Sequence, residues 1–337
     1  MSTGTPTTPT APAAVSDGAG RRSAGSGLLQ LGRHPEVGVA LVILALAVVI
    51  TAINPNFATS GNIFNLLRAV AITGIVAVGM TFVLIAGELD LSVGSNVALS
   101  GVTAFTVAAH LPWPLAVPVG LLVGGAVGFV SGLLITRVGI NSFIVTLGML
   151  SVARGLALLV TQGLPVDGPS QLQALGQGAV GPVPVQVVLL LVIAVVGQLV
   201  LTRTVFGQQV QAVGDNREAA HLSGIPVSRV KISCLVIVGL LAGLAGLIRG
   251  AQLGVGEPNA AVGLELDVIA AVIIGGTSLA GGRGSVIGAL LGAVLLGVIQ
   301  NAFVLLHLSN FLQVLSTGAI IVLAAAFDRF RVRRAPA

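Results

Sequence analysis

Apolar runs of about 20 residues follow one another along this chain with little between them but Gly, Pro or isolated charges. A helix rises 1.5 Å per residue, so runs of that length cross a hydrocarbon core of ~30 Å. Period-two alternation is absent, and helices are then the only spans that satisfy their own backbone in lipid. Read against their boundaries, the runs predict ten spans: 37–53, 67–86, 93–109, 115–136, 143–161, 183–201, 230–253, 266–280, 286–306 and 311–327. The expected fold is an all-α polytopic transmembrane helical bundle. A charged content of 8% agrees, because soluble domains carry roughly 25%.

Composition narrows the function. Cys234 is the only cysteine, which excludes an internal disulfide and a cysteine-based metal cluster. The net charge of +5 sits at run boundaries and termini and builds no basic face, so membrane lipid is an expected partner and nucleic acid is not. HExxH and GxSxG patterns are absent, and His34, His110, His221 and His307 are dispersed. No catalytic residue and no metal site are therefore expected. The only lysine, Lys231, lies in "RVKIS" and not in the Gly-Lys-Ser/Thr of a phosphate-cradling loop, so the chain cannot hydrolyse ATP by that route. There is no Tyr, and the single Trp113 stands in "LPWP" as an interfacial anchor. The aromatics on which tight sugar sites stack are thus scarce.

Residues 1–36 are Ser, Thr, Pro, Ala and Gly without periodicity and are expected to be a disordered cytoplasmic tail. The first apolar run comes only after Glu36, so no cleaved leader is expected. Counting ten spans places Arg137, the segment 203–231, Arg283 and the tail "DRFRVRR" on the same side as Arg21, Arg22 and Arg33. The opposite connections carry no Arg or Lys, with Arg68 at the start of the second span as the one dissenter. The bias of basic residues toward cytoplasmic loops then puts both termini in the cytoplasm of a multi-pass plasma-membrane protein. The expected organisation is a transmembrane domain over 37–330, a cytoplasmic loop at 202–231 and a basic cytoplasmic tail at 331–337.

Four segments could carry function. In "GELDLSVGS", Glu88 and Asp90 follow an apolar run directly. They read as proton carriers, as part of a gate, or as a helix junction in which Asp90 or Ser92 caps the third span. Being two apart, they cannot share a helical face, which fits a turn. "ELD" recurs at 265–267, five spans later, as two inverted five-helix halves would require. The eighth span is short and is broken by "IIGGTSLAGGRGS", where Gly275, Gly276 and Thr277 read either as a transport pathway or as close helix packing. Arg154 stands about halfway along the fifth span and needs a watery cavity or an ion pair to an acid on another helix, unless the span boundary is misplaced.

The fourth segment is "DNREAAHLSGIP", which reads as a short independent helix. Asp215 is its expected N-cap, with Glu218 three residues on, Ala219 and Ala220 inside, and Gly224 and Pro226 to end it. The alternatives are an ordinary amphipathic loop and a docking helix formed by Asp215, Asn216, Arg217, Glu218, Ala219, Ala220 and Gly224.

Glu218, Ala219 and Ala220, then three residues, then Gly224, resemble the first half of the "EAA" cytoplasmic loop of bacterial ATP-driven importer membrane subunits. The second half of that pattern, an Ile followed by Leu-Pro, is missing. This departure points from the maltose-type permeases to the ribose, xylose and galactose permeases of the branched-chain amino acid and simple sugar permease family. "VGMTFVLIAGELDLSVGS" (78–95), "FIVTLGMLSVARGLALLVTQG" (143–163) and "VIAAVIIGGTSLAGGRGSVIGALLGAVLLGVIQN" (268–301) resemble that family too. The resemblance implies a non-catalytic permease subunit moving a monosaccharide, a ribose-like pentose or a hexose. It also implies a second permease copy, a cytoplasmic ATPase as separate chains or a fused tandem, and an extracytoplasmic sugar-binding protein. No cofactor is expected in this chain, ATP and Mg being held by the ATPase. The competing class is a proton-coupled secondary transporter of a small polar solute that uses Glu88 and Asp90.

Overall fold

A computed structural model describes residues 35–334 together with Met1, so nearly all of the expected N-terminal tail and the last three residues lie outside the described residues. The long helices are α1 (Pro35–Ile53), α2 (Ser60–Ile85), α3 (Val93–His110), α4 (Ala116–Leu133), α5 (Ser142–Thr161), α7 (Val185–Arg203), α10 (Val227–Leu253), α12 (Val286–Leu305) and α13 (Asn310–Arg334). Short ones are α6 (Ser170–Gln177), α8 (Val205–Asp215), α9 (Arg217–Leu222) and α11 (Leu264–Ile274). Two small antiparallel ladders tie loops together, β1 (Val166–Asp167) with β4 (Val255–Gly256) and β2 (Ala179–Val180) with β3 (Val183–Pro184). The fold is a polytopic helical bundle.

Each expected span has its helix, and two boundaries move for visible reasons. The second begins at Ser60 because the polar first turns are satisfied inside the protein: the Asn62 and Asn301 amides donate to each other at 2.9 and 2.8 Å. The eighth stops at Ile274 because Gly275 and Gly276 follow, the latter at a φ of +93° that L side chains avoid. Eleven residues extend only about 16 Å, so α11 cannot cross a bilayer alone. It is buried instead by its neighbours, as irregular backbone beside it must be at membrane depth. Among the described residues seven helices are long and apolar enough to span by themselves. α3 falls outside that set because it carries Ser95, Asn96 and Ser100, all buried against protein.

Burial separates the centre from the lipid-facing rim. α2 is 83% buried over its apolar window whereas α1 is only 6% buried, with Leu41, Leu44, Val48 and Val49 bare. Exposed apolar side chains on α1, α5 and α7 are what a surface solvated by lipid requires. Around the central α10 pack α4, α3 and α2, while α12 packs on α2, α11 and α1. The neighbour relations of α2 to α5 recur in α10 to α13. Thus α3 meets α4 and α5 as α11 meets α12 and α13, and α10 meets α4 as α2 meets α12. A twofold relation between two five-helix halves has this consequence; α1 and α7 break it, for α1 packs on α12 but α7 on α2.

Glycine makes the closest of these approaches possible. Gly120, Gly124, Gly128 and Gly132 stand four apart on α4 and face α10, whose Gly239 and Gly243 face back. At each of these sites a Cβ would run into the partner helix, which is the small-residue packing used where lipid supplies no hydrophobic drive.

Candidate functional site

The turn between α2 and α3 separates the two opening acids. Gly87 takes a φ of +75°, and the Glu88 N–H returns to the Val83 carbonyl at 3.0 Å to close α2. Glu88 then reaches α10, where its carboxylate forms an ion pair with Lys231; the two side chains are only 10% and 7% exposed. Asp90 turns the other way and is 1% exposed. One of its oxygens accepts the Ser92 N–H at 2.8 Å and the Ser92 hydroxyl at 2.6 Å. Burial pushes the Asp90 carboxyl above its ordinary range, and the two Ser92 bonds draw it partly back. The capping expectation needs correction. Ser92 holds the N-cap position of α3, yet its hydroxyl donates to Asp90 instead of accepting from the helix, and Asp90 organises the turn before the helix.

Two further segments converge on this turn. The end of α8 places Gly214 against the Ile85 carbonyl and within van der Waals range of Gly87. The glycine-rich loop after α11 brings the Gly282 N–H to the same Ile85 carbonyl at 2.9 Å, and a Cβ on Gly281 would lie 2.8 Å from the Gly214 carbonyl oxygen. One turn earlier, the rings of Phe82 on α2 and Phe206 on α8 stack with centroids 6.3 Å apart. Connections after α2, after α7 and after α11 thus meet at one end of the bundle. The connections 54–59 and 162–184 instead contact the far ends of α12 and α10: the Asn54 amide donates to the Leu305 carbonyl at 3.0 Å, and β1 pairs with β4. This sorting follows the ten-span count.

The short helix α9 is attached directly to that junction. Its N-cap is Asn216 and not Asp215, a second correction. Asp215 ends α8 with its side chain beside Gly282, whereas the Asn216 amide oxygen accepts from the N–H groups of Glu218 and Ala219 at 3.0 and 2.9 Å. An acceptor two or three residues before its donors satisfies the first turn, and Asn216 rather than its neighbour has the extended backbone that capping needs. Only Ala220 of this helix is buried; Arg217, Glu218, Ala219 and Leu222 are exposed, Leu222 at 82%. Gly224 takes a φ of +81° and ends the turn. Beside α9 lies an open groove of about 620 Å³ lined by Asn216, Arg217, Glu218, His221, Val227 and Ser228.

A model described as "Branched-chain amino acid transport system / permease component" matches residues 62–325. The chain belongs to this permease family. It is 43% identical over 296 residues to the L-arabinose ABC transporter permease protein AraH of Azospirillum brasilense, covering 87% of each chain. To the ribose import permease proteins RbsC of Bacillus subtilis and Haemophilus influenzae it is 40% and 38% identical over 298 residues, covering 87% of this chain and 92% of each relative. No solved structure matches it. The resemblance carried by the four sequence segments is therefore borne out.

Elsewhere in the permease, Arg154 lies away from the junction. Its guanidinium donates to the backbone carbonyls of Pro258 and Ala260 at 2.6 and 2.9 Å, holding the loop between α10 and α11, with Glu265 near enough to bear on its charge. The two carbonyls, and not a carboxylate in direct contact, hold the guanidinium among the described residues. The second "ELD" opens α11, with Asp267 accepting from the Gln300 amide at 3.1 Å. Gly275 ends α11 against the backbone of Gly288 on α12, the close-packing alternative for that glycine. Thr277 follows, fully buried with an unpartnered hydroxyl, and a Cβ on Gly284 would meet both Thr277 and the Ile85 side chain.

Sequence reasoning missed Lys231 as a participant. The available signal was its solitude, since the only lysine of a membrane chain, five residues into a span, must find a carboxylate or reach water. Phe206 and Gly214 were missed because nothing in their local pattern marks a contact with a helix over a hundred residues earlier.

Proposed function

We propose that this permease is the translocating subunit of an ATP-driven importer for a monosaccharide, a pentose such as ribose or arabinose or a related hexose. The observation that carries the proposal is the placement of α9. A capped, exposed helix with a groove beside it stands on the junction where the α2–α3 turn and the α11–α12 loop meet. A partner that pushes on α9 acts at once on two of the segments that frame the bundle. The partner is a cytoplasmic ATPase, as separate chains or a fused tandem, which holds the ATP and Mg that this chain has no motif for. A second permease copy completes the pathway, and an extracytoplasmic binding protein delivers the sugar. The junction end and both termini face the cytoplasm, in keeping with the basic loops. The repeated neighbour pattern supports two inverted halves that rock against each other.

The proton-coupled alternative requires a carboxyl free to load and unload, whereas Glu88 is committed to Lys231 and Asp90 is enclosed and held by the Ser92 N–H and hydroxyl. Reconstitution with the ATPase and a binding protein, followed by uptake of labelled pentoses and hexoses, tests the proposal. Glu218→Arg and Gly224→Asp should abolish ATP-driven uptake while the protein still inserts. Normal uptake by both variants removes the docking role of α9, and a collapse of uptake on dissipating the proton gradient at constant ATP favours the alternative.

A further inference from the structure

A push on α9 does useful work only if something rigid passes it to the α2–α3 turn. α9 is joined to α10 by the short connection Ser223–Pro226, and Lys231 is the fifth residue of α10. Its partner Glu88 lies in the turn itself. No other ion pair is found among the described residues, and both partners are largely sequestered from solvent. Stability is a weak reason for such a pair, because well-packed apolar residues of similar size often serve a protein interior as well or better. A fixed register is a stronger one: a buried charge pair tolerates few relative positions of its two backbones.

α10 also packs on α2 and α3 along their apolar faces, and Lys231 is the residue that gives it a polar side-chain contact with the turn between them. The Phe82–Phe206 stack and the Gly282–Ile85 hydrogen bond hold α2 to α8 and to the glycine loop, and neither joins the turn to α10. We propose that the Lys231–Glu88 ion pair is the positioning link that makes the α2–α3 turn follow α10 when α9 is displaced, so that ATP hydrolysis and sugar movement stay coupled. This rests on the importer function proposed above.

The test uses the assembled importer in proteoliposomes, with permease, ATPase and binding protein, and reads sugar transported per ATP hydrolysed. Two variants are compared: the apolar double Lys231→Met with Glu88→Leu, and the exchange Lys231→Glu with Glu88→Lys. The apolar double should assemble and resist heat like the native protein, yet hydrolyse ATP with a clear loss in the sugar transported per ATP. The exchange should recover most of that ratio. Coupling by the apolar double at the native ratio overturns the link alone. Failure of both double variants to assemble also overturns it, because the pair is then purely structural. If the native importer shows no uptake that depends on ATP and the binding protein, the importer function falls and the link falls with it.

Discussion

Gly124 lies where α4 and α10 come closest, and a single methyl there measures how tightly the bundle is closed. A Cβ at Gly124 would lie 2.9 Å from both N and Cα of Gly243 and closer still to the Gly239 carbonyl oxygen, whereas ordinary contact begins at 3.4 Å. All three atoms are backbone, so none can rotate away, and the helices must part by about half an ångström or more. The Asn96 amide also donates to the Gly124 carbonyl at 3.1 Å, which ties α3 to the same point. Overpacking of this kind costs about 1–3 kcal/mol. Replacing glycine by alanine in a helix returns up to ~1 kcal/mol through backbone entropy. With three backbone atoms overlapped the cost lies in the upper half of the overpacking range, about 2–3 kcal/mol, so the net expectation for Gly124→Ala is a loss of about 1–2 kcal/mol. Gly148→Ala is the internal control, for Gly148 is exposed on α5 with nothing within 4 Å of its would-be Cβ, and only the favourable term remains. Heating each detergent-purified variant and following the monodisperse fraction by size exclusion should place Gly124→Ala below the native protein. The expected drop is about 2–4 °C per kcal/mol. Gly148→Ala should be level with it or higher. Equal midpoints for the two variants would refute the close approach of α4 and α10.

Asn216→Ala removes the acceptor for two N–H groups of a six-residue helix, a cost of about 1 kcal/mol that should lower the ordered-to-disordered ratio of α9 about fivefold. Faster amide exchange over 217–222 with unchanged exchange in α10 is the expected signature. Arg154→Met releases the Pro258 and Ala260 carbonyls, so exchange should rise over 254–263 and stay unchanged at the junction end. Asp90→Asn keeps an oxygen to accept from Ser92 and should insert normally, whereas Asp90→Ala loses both bonds at a cost of about 1–3 kcal/mol and should insert poorly. Comparing membrane-inserted yields of the two separates the turn-forming role of the carboxyl from any role of its charge.

The order and approximate ends of the helices were legible from residues alone, because a lipid solvent imposes a local rule that most of the runs obey by themselves, the short α11 and the polar α3 excepted. The short helix at 215–224 was legible for a similar reason, since caps and stops act within a turn. Its N-cap was misplaced by one residue because Asp215 and Asn216 both have the chemistry, and which one is extended depends on where α8 ends. The glycines of "IIGGTSLAGGRGS" announced a break. Gly275 packing against Gly288 and Thr277 lying beside Gly284 near Ile85 had no local sign.

What the amino-acid sequence determined by itself was the solvent, the secondary structure and the family, since periodicity, hydropathy and motif are properties of neighbours along the chain. What only the tertiary structure decided was which polar groups answer one another. Glu88 finds Lys231 across 143 positions and Arg154 finds carbonyls 104 and 106 residues away. A buried charge or amide accepts whatever partner the packing delivers, and the packing of ten helices is a property of all their faces together.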